Sequence, residues 1–386
     1  MRWFKPKVQE NGASLQAAVQ ANTGFALDLY QKLRATEGNL FFSPYSISTA
    51  LAMTYAGARG DTQTQMAQAL HLLSDQNQLH PAFAQLAARL EQTARQKQIQ
   101  LMVANALWPA KGFLLLKEFL ALAKKYYGVR ITPVDFSAEE TARHTINGWV
   151  EEKTESRIKD LIAPGVLEAA TRLVLVNAIY FKGAWASPFD PTLTGPAPFF
   201  TSAGDSIQVP MMNRKKPFRY AESEAMQMLE LPYAGDSLSM LVLLPRENEG
   251  LAKLEDSLLR DKLDEWIRDL AETEVQVSLP GFELTFPFRL DDTLKSMGML
   301  DAFSDKADFS AMDASRTLFI GAVLHKAFVA VNEQGTEAAA ATAVVMQLKT
   351  VAFPSIVFRA DHPFVFLIRE KETGSLLFIG RVVNPA

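Results

Sequence analysis

Five histidines and no cysteine mark the chemical limits of this 386-residue chain. Without a thiol there are no disulfides, no thiolate metal sites and no cysteine nucleophile. The histidines lack metal-binding spacing. The sequence holds no Gly-x-Ser-x-Gly turn, no His-Glu-x-x-His and no phosphate-binding glycine loop, so the chain reads as no enzyme and as needing neither cofactor nor metal. The chemistry that remains is backbone pairing. From 331 to 350 the chain runs Val-Asn-Glu-Gln-Gly-Thr-Glu-Ala-Ala-Ala-Ala-Thr-Ala-Val-Val-Met-Gln-Leu-Lys-Thr. The apolar run at 327–331 reads as a strand covered on both faces, and Gly335 supplies a hinge. If the chain beyond is extended, Thr336, Ala338, Ala340 and Thr342 share one face and Glu337, Ala339, Ala341 and Ala343 the other. Such small groups suit a strand that slides between two existing strands without overfilling the layer beneath. The same window also fits an ordinary helix, with Thr336 as N-cap and alanines as strong helix formers to about Leu348. Local propensity favours that helix, so the choice rests on the rest of the chain.

The elements that must position this segment are unevenly divided. Residues 1–20 read as a flexible lead-in, followed by a helix capped at Asn22-Thr23 with Phe25, Ala26, Leu29 and Leu33 at helical spacing. Helical patterns continue at 46–55, 63–70, 82–93, 116–127 and 142–153. From 173 onward strands dominate, at 173–181, 226–231, 239–244, 275–279, 318–332, 364–369 and 376–382, with helices returning at 251–270 and 291–297. No repeat or polar linker divides the chain, which predicts one α+β domain over 21–386. The last strands form a hairpin about Lys371-Glu372-Thr373-Gly374 in the centre of the fold, and 350–361, carrying Pro354, is an exposed connection.

Composition narrows the partners. With 48% hydrophobic residues and a net charge of −4 from 39 basic and 43 acidic residues, the chain reads as a soluble globular protein without a compositional argument for nucleic acid or anionic membrane. The densest basic run, Asn213-Arg214-Lys215-Lys216, reads as a solvated loop. The first seven residues carry charge but no apolar run, and no stretch approaches the roughly 18 apolar residues of a membrane span. If complete, the product is expected to stay in the cytoplasm.

Four stretches carry a resemblance. They are Asn39-Leu40-Phe41-Phe42-Ser43-Pro44-Tyr45-Ser46-Ile47-Ser48 and Val176-Asn177-Ala178-Ile179-Tyr180-Phe181-Lys182-Gly183-Ala184-Trp185. They continue with Leu324-His325-Lys326-Ala327 leading to Glu333-Gln334-Gly335-Thr336-Glu337-Ala338-Ala339-Ala340-Ala341-Thr342, and end with Phe378-Ile379-Gly380-Arg381-Val382-Val383-Asn384-Pro385. In this order and spacing they resemble the serpin family, and the chain is identified as a member of a cysteine-free, prokaryotic-like type.

The resemblance implies the α+β serpin fold: three β-sheets, about nine helices and an exposed reactive-centre loop, here about 333–358, above a five-stranded central sheet. It implies a suicide-substrate inhibitor of serine proteases, whose cut loop enters the central sheet and traps the acyl-enzyme. It thereby favours the strand reading of the hinge, Glu333 and Gly335 to Thr342. By the same resemblance the scissile bond is Lys349–Thr350; if Lys349 is only a solvated loop charge, cleavage falls one or two positions away, with Leu348 and Thr350 the nearest candidates. Lysine suits an acidic specificity pocket, hence a trypsin-like target, while Met346 and Leu348 suit subtilisin-like enzymes as a second class. Ser43, Ser46, Asn177 and His325 match the family's buried polar shutter; Trp185 and Glu333 match the breach where the loop first enters. Gly281 stands where many relatives carry a lysine facing that glutamate. Non-inhibitory relatives, acting as carriers, storage proteins or chaperones, usually have bulky, charged or proline hinges, unlike the small set here. Arg89, Arg95 and Lys97 are too few for strong heparin binding. A monomer able to form loop–sheet polymers is expected, and family tendency favours an extracellular setting.

Overall fold

The computed structural model of the chain describes residues 12–94, 99–129, 131–336 and 356–386. Nine α-helices run through them: α1 (Gly12–Leu33), α2 (Pro44–Tyr55), α3 (Gly60–Ala69), α4 (Gln76–Ala94), α5 (Lys117–Tyr127), α6 (Glu139–Lys153), α7 (Leu251–Ser257), α8 (Arg260–Arg268) and α9 (Asp291–Ser296). The strands of the first two thirds are β1 (Leu40–Phe42), β2 (Ile99–Pro109), β3 (Leu173–Ala184), β4 (Gly195–Phe200), β5 (Ser206–Glu222), β6 (Met226–Pro232) and β7 (Leu238–Pro245). They are followed by β8 (Ala271–Pro280), β9 (Phe282–Arg289), β10 (Ala322–Asn332), β11 (Gly335–Thr336), β12 (Ile356–Arg359), β13 (Phe364–Glu370) and β14 (Leu376–Val382).

These strands make a five-stranded sheet, ordered β2-β3-β11-β10-β9, and a nine-stranded one, ordered β1-β14-β13-β7-β6-β5-β8-β12 with β4 beside β5. The three expected sheets appear as two hydrogen-bonded units because the 17-residue β5 belongs to two at once. It pairs with β4 and β8 along most of its length, and its last four residues, Arg219 to Glu222, pair with β6. β13 and β14 are buried at every residue, the near-continuous apolar pattern of strands covered on both faces. They pack so closely that a Cβ at Gly380 would lie 2.2 Å from the Phe366 ring. No helix of the described residues is long and apolar enough to cross a membrane.

Several boundaries differ from the sequence reading. α1 begins at Gly12, so 12–20 is helix rather than lead-in; Asn22 is buried within it, its amide donating to the Leu376 carbonyl at 2.8 Å, rather than capping. The helix expected at 251–270 is two, parted at Leu258 where ψ is 71°. The upper half of β10 is fully buried on one face only, with Phe328 and Ala330 half-exposed. The connection expected at 350–361 contains a strand, β12, which pairs parallel with Val275–Ser278 of β8 and buries Phe358 completely. β5 and β9 went unread because Pro210, Pro217 and Pro287 interrupt their alternation.

Candidate functional site

The lower halves of β3 and β10 pair in parallel, Val174–Tyr180 against Ala322–Phe328. Above this the two strands part, and β11 enters the gap antiparallel to both. Val331 and Asn332 face Thr336 and Gly335, which face Gly183 and Ala184 on the other side. Glycine is required at the entry. Gly335 has φ +150°, and a Cβ there would lie 2.1 Å from the Gly183 carbonyl oxygen. Thr336 is wholly buried, its hydroxyl 2.8 Å from that of Tyr233. The Tyr233 ring stacks on Trp185, centroids 4.7 Å apart at 14°, and meets Phe181 edge-on at 5.0 Å.

A short segment grips the approach to β11. The Trp185 indole N–H donates to the Asn332 carbonyl at 3.0 Å, its backbone N–H to that of Gln334 at 2.9 Å, and the Phe189 N–H to that of Glu333 at 2.8 Å. Trp185 and Glu333 are thus brought together through the backbone. The Glu333 side chain is half-buried and has no ion-pair partner among the described residues, and Gly281 offers it no cation. Glu337, Ala338, Ala339, Ala340, Ala341 and Thr342, with Lys349 and Thr350, lie outside the described residues, as does the helix alternative beyond Thr336.

Beneath the parting strands lies a connected polar cluster. Ser43 caps α2, its hydroxyl accepting from the Ser46 N–H at 3.1 Å and donating to the Leu377 carbonyl at 2.6 Å. The Ser43 N–H donates to His325 Nε2 at 3.1 Å, so the ring hydrogen sits on Nδ1 and is given to the Asn177 Oδ1. The Asn177 amide donates in turn to Ser46 Oγ and Asn105 Oδ1. All four predicted members are at most 1% exposed, and every one is hydrogen-bonded. Burial pushes His325 down to about 3, against a smaller opposing contribution from Asn177. The ring is therefore neutral near pH 7. Asn177 and His325 are direct register partners across β3 and β10, the two strands that diverge above.

Asn105 and Tyr233 were missed by sequence reasoning. Asn105, opposite Asn177 on β2, was marked by being the polar residue in the apolar run Val103-Ala104-Asn105-Ala106-Leu107. Tyr233 carried no signal, since its partner Thr336 is 103 residues away. Arg89, weighed for polyanion binding, is engaged by Glu370 at 3.0 Å and by Glu372.

The chain matches the serpin (serine protease inhibitor) family over residues 20–385. It is 45% identical over 376 residues to leukocyte elastase inhibitor of Sus scrofa, covering 95% of this chain and 98% of that one. An uncharacterized serpin-like protein of Thermococcus kodakarensis is 42% identical over 371 residues, covering 95% of this chain and 85% of the relative. Among solved structures, Serpin48 of the insect Tenebrio molitor superposes with TM-score 0.86 at 33% identity, over 96% of this chain and 98% of that one. Human thyroxine-binding globulin gives TM-score 0.89 at 32% identity, over 97% and 100%. The chain therefore belongs to the serpin family, and its fold is the serpin fold.

Proposed function

We propose that the chain is a suicide-substrate inhibitor of serine proteases, cleaved at Lys349–Thr350, whose cut loop then follows β11 between β3 and β10. The observation that carries this reading is the hinge, where Gly335 and Thr336 already occupy the parting of those strands. The sequence continues as Glu337 and four alanines, and on the face that Thr336 would share with Ala338, Ala340 and Thr342 the side chains are small enough to enter the sheet. Glu333 and Gly335 to Thr342 then act as hinge; Ser43, Ser46, Asn177 and His325 hold the strands closed; Trp185 and Glu333 mark the entry point. Relatives named for inhibition of leukocyte elastase support an inhibitory role. Lys349 suits an acidic pocket, so the target is trypsin-like, with subtilisin-like enzymes second. The fold by itself is also that of a thyroxine-binding globulin, which leaves the hinge composition to decide against a carrier.

Incubation with trypsin and, separately, leukocyte elastase tests this. A covalent complex with trypsin on a denaturing gel is expected, with release of a fragment whose mass begins at Thr350. A different new N-terminus moves the scissile bond. Cleavage by both enzymes without any complex would overturn the inhibitory reading.

A further inference from the structure

The run Asn213-Arg214-Lys215-Lys216, expected as a solvated loop, lies inside β5 opposite Ser278 to Val275 of β8. Strand alternation separates its cations. Lys215 pairs with Glu274 at 3.0 Å, whereas Arg214 and Lys216 share the other face with Phe218 and make no ion pair among the described residues. Both are half-buried. Arg214 Nε is buried without a hydrogen-bond partner, and Lys216 gives one hydrogen bond, Nζ to Ser187 Oγ at 2.5 Å, while standing 5.2 Å from the Phe218 ring centroid. Burial makes both cations easier to deprotonate than usual, and the Arg214 charge adds to the effect on Lys216. The carboxylates that oppose them, Asp190 and Glu272, are exposed and beyond contact, and Asp190 is engaged by the Thr192 N–H and hydroxyl.

Two half-buried cations side by side without a contacting anion raise the local positive potential and attract one. The Ser187 hydroxyl accepts from Lys216 and keeps its own hydrogen free to donate. The recess beside it, about 10 Å³ and walled by Trp185, Phe189, Phe218, Leu231 and Pro232, is apolar, holds no more than about one water and is lined by neither cation, so an ion would sit outside it, against the cations. We propose that Arg214, Lys216 and the Ser187 hydroxyl form a binding site for a small free oxyanion of the phosphate or sulfate class. A bound oxyanion would tie β5 to the 185–189 segment, whose N–H groups hold the Glu333 and Gln334 carbonyls, and so steady the base of β11.

The test uses the intact protein without protease, so its outcome is independent of the inhibitory reading. Inorganic phosphate and, in a second arm, sulfate are titrated at ionic strength fixed with sodium chloride while the melting temperature is followed. A saturable rise is expected. Lys216→Gln or Arg214→Gln should raise the half-saturating concentration at least about tenfold, the loss of one charge-assisted hydrogen bond, and Lys215→Gln should leave it unchanged. A rise that does not saturate in either arm, or that is the same in Lys216→Gln and Lys215→Gln, means a general salt effect and overturns the site. If the glutamine variants do not fold, phosphorus-31 line broadening of phosphate by the unmodified protein decides: saturable broadening supports the site and its absence overturns it.

Discussion

At Gly335 one methyl group would collide with the carbonyl of Gly183 and with the Ala184 backbone, neither of which can swing aside as a side chain can. Gly335→Ala is therefore expected to expel β11, and the Trp185 amide, which donates to Gln334, should lose hydrogen-exchange protection. Unchanged protection there would mean that the strands yield instead. His325 makes a second prediction at this scale. Its folded value of about 3 lies below the ordinary 6.5, so the unfolded chain takes up the proton first, and the stability held above pH 6.5 drains as pH falls towards 3. His80, pushed by burial to about 4, acts in the same sense. At about 1.4 kcal/mol per pH unit, each costs on the order of 2 kcal/mol by pH 5. Glu230 and Glu370, whose values lie below the ordinary carboxylate range, keep their contributions in that window. Melting at pH 7 and pH 5 should show the loss, and His80→Phe should retain the part due to His325. Equal melting at both values would contradict the neutral, buried imidazole.

Among the elements, β12 fixes the far end of the segment that begins at β11. It holds the edge of the larger sheet by four parallel register pairs and by Phe358, which is completely buried. Phe358→Ala should cost about 3–5 kcal/mol and let the strand leave β8. Faster exchange of the Ala360 amide, which donates to Ser278, would report it; a protected amide would show that backbone pairing alone suffices. This strand was illegible in the sequence for a physical reason. Four residues after Pro354 carry too little periodicity, and the reason they pair lies about 80 residues away in β8. The apolar strands β13 and β14 were legible because burial on both faces leaves a nearly unbroken apolar run. The polar cluster was legible only through its resemblance, since Ser43 and His325 meet across 282 residues. Asn105 could have been found as a lone amide in an apolar strand; Tyr233, an aromatic among aromatics, could not.

For the molecule as a whole, the proposed insertion is a large rearrangement. Beyond Thr336, which is already seated between the strands, Glu337 to Lys349 are 13 residues, about 43 Å of strand at roughly 3.3 Å each. One net hydrogen bond per residue at about 1 kcal/mol gives on the order of 10 kcal/mol, comparable to the roughly 5–15 kcal/mol that holds an ordinary domain together. An uncut chain that forgoes such a gain is held by a barrier rather than by equilibrium. The protein nicked at the loop is therefore expected to melt well above the intact form, and calorimetry of the two decides. Equal melting temperatures would remove the stored energy on which trapping depends.

The direction in which β11 runs has its own thermodynamic sign. β3 and β10 lie head beside head, with the slanted, evenly spaced bonds that are the weaker of the two ladder types, whereas β11 runs counter to both neighbours. In the proposed insertion, each rung that opens ahead of the advancing strand would be replaced by rungs of the stronger polarity on either side. On the proposed insertion the severed chain would therefore be drawn forward by pairing itself, since the antiparallel ladder is slightly the more stable per residue.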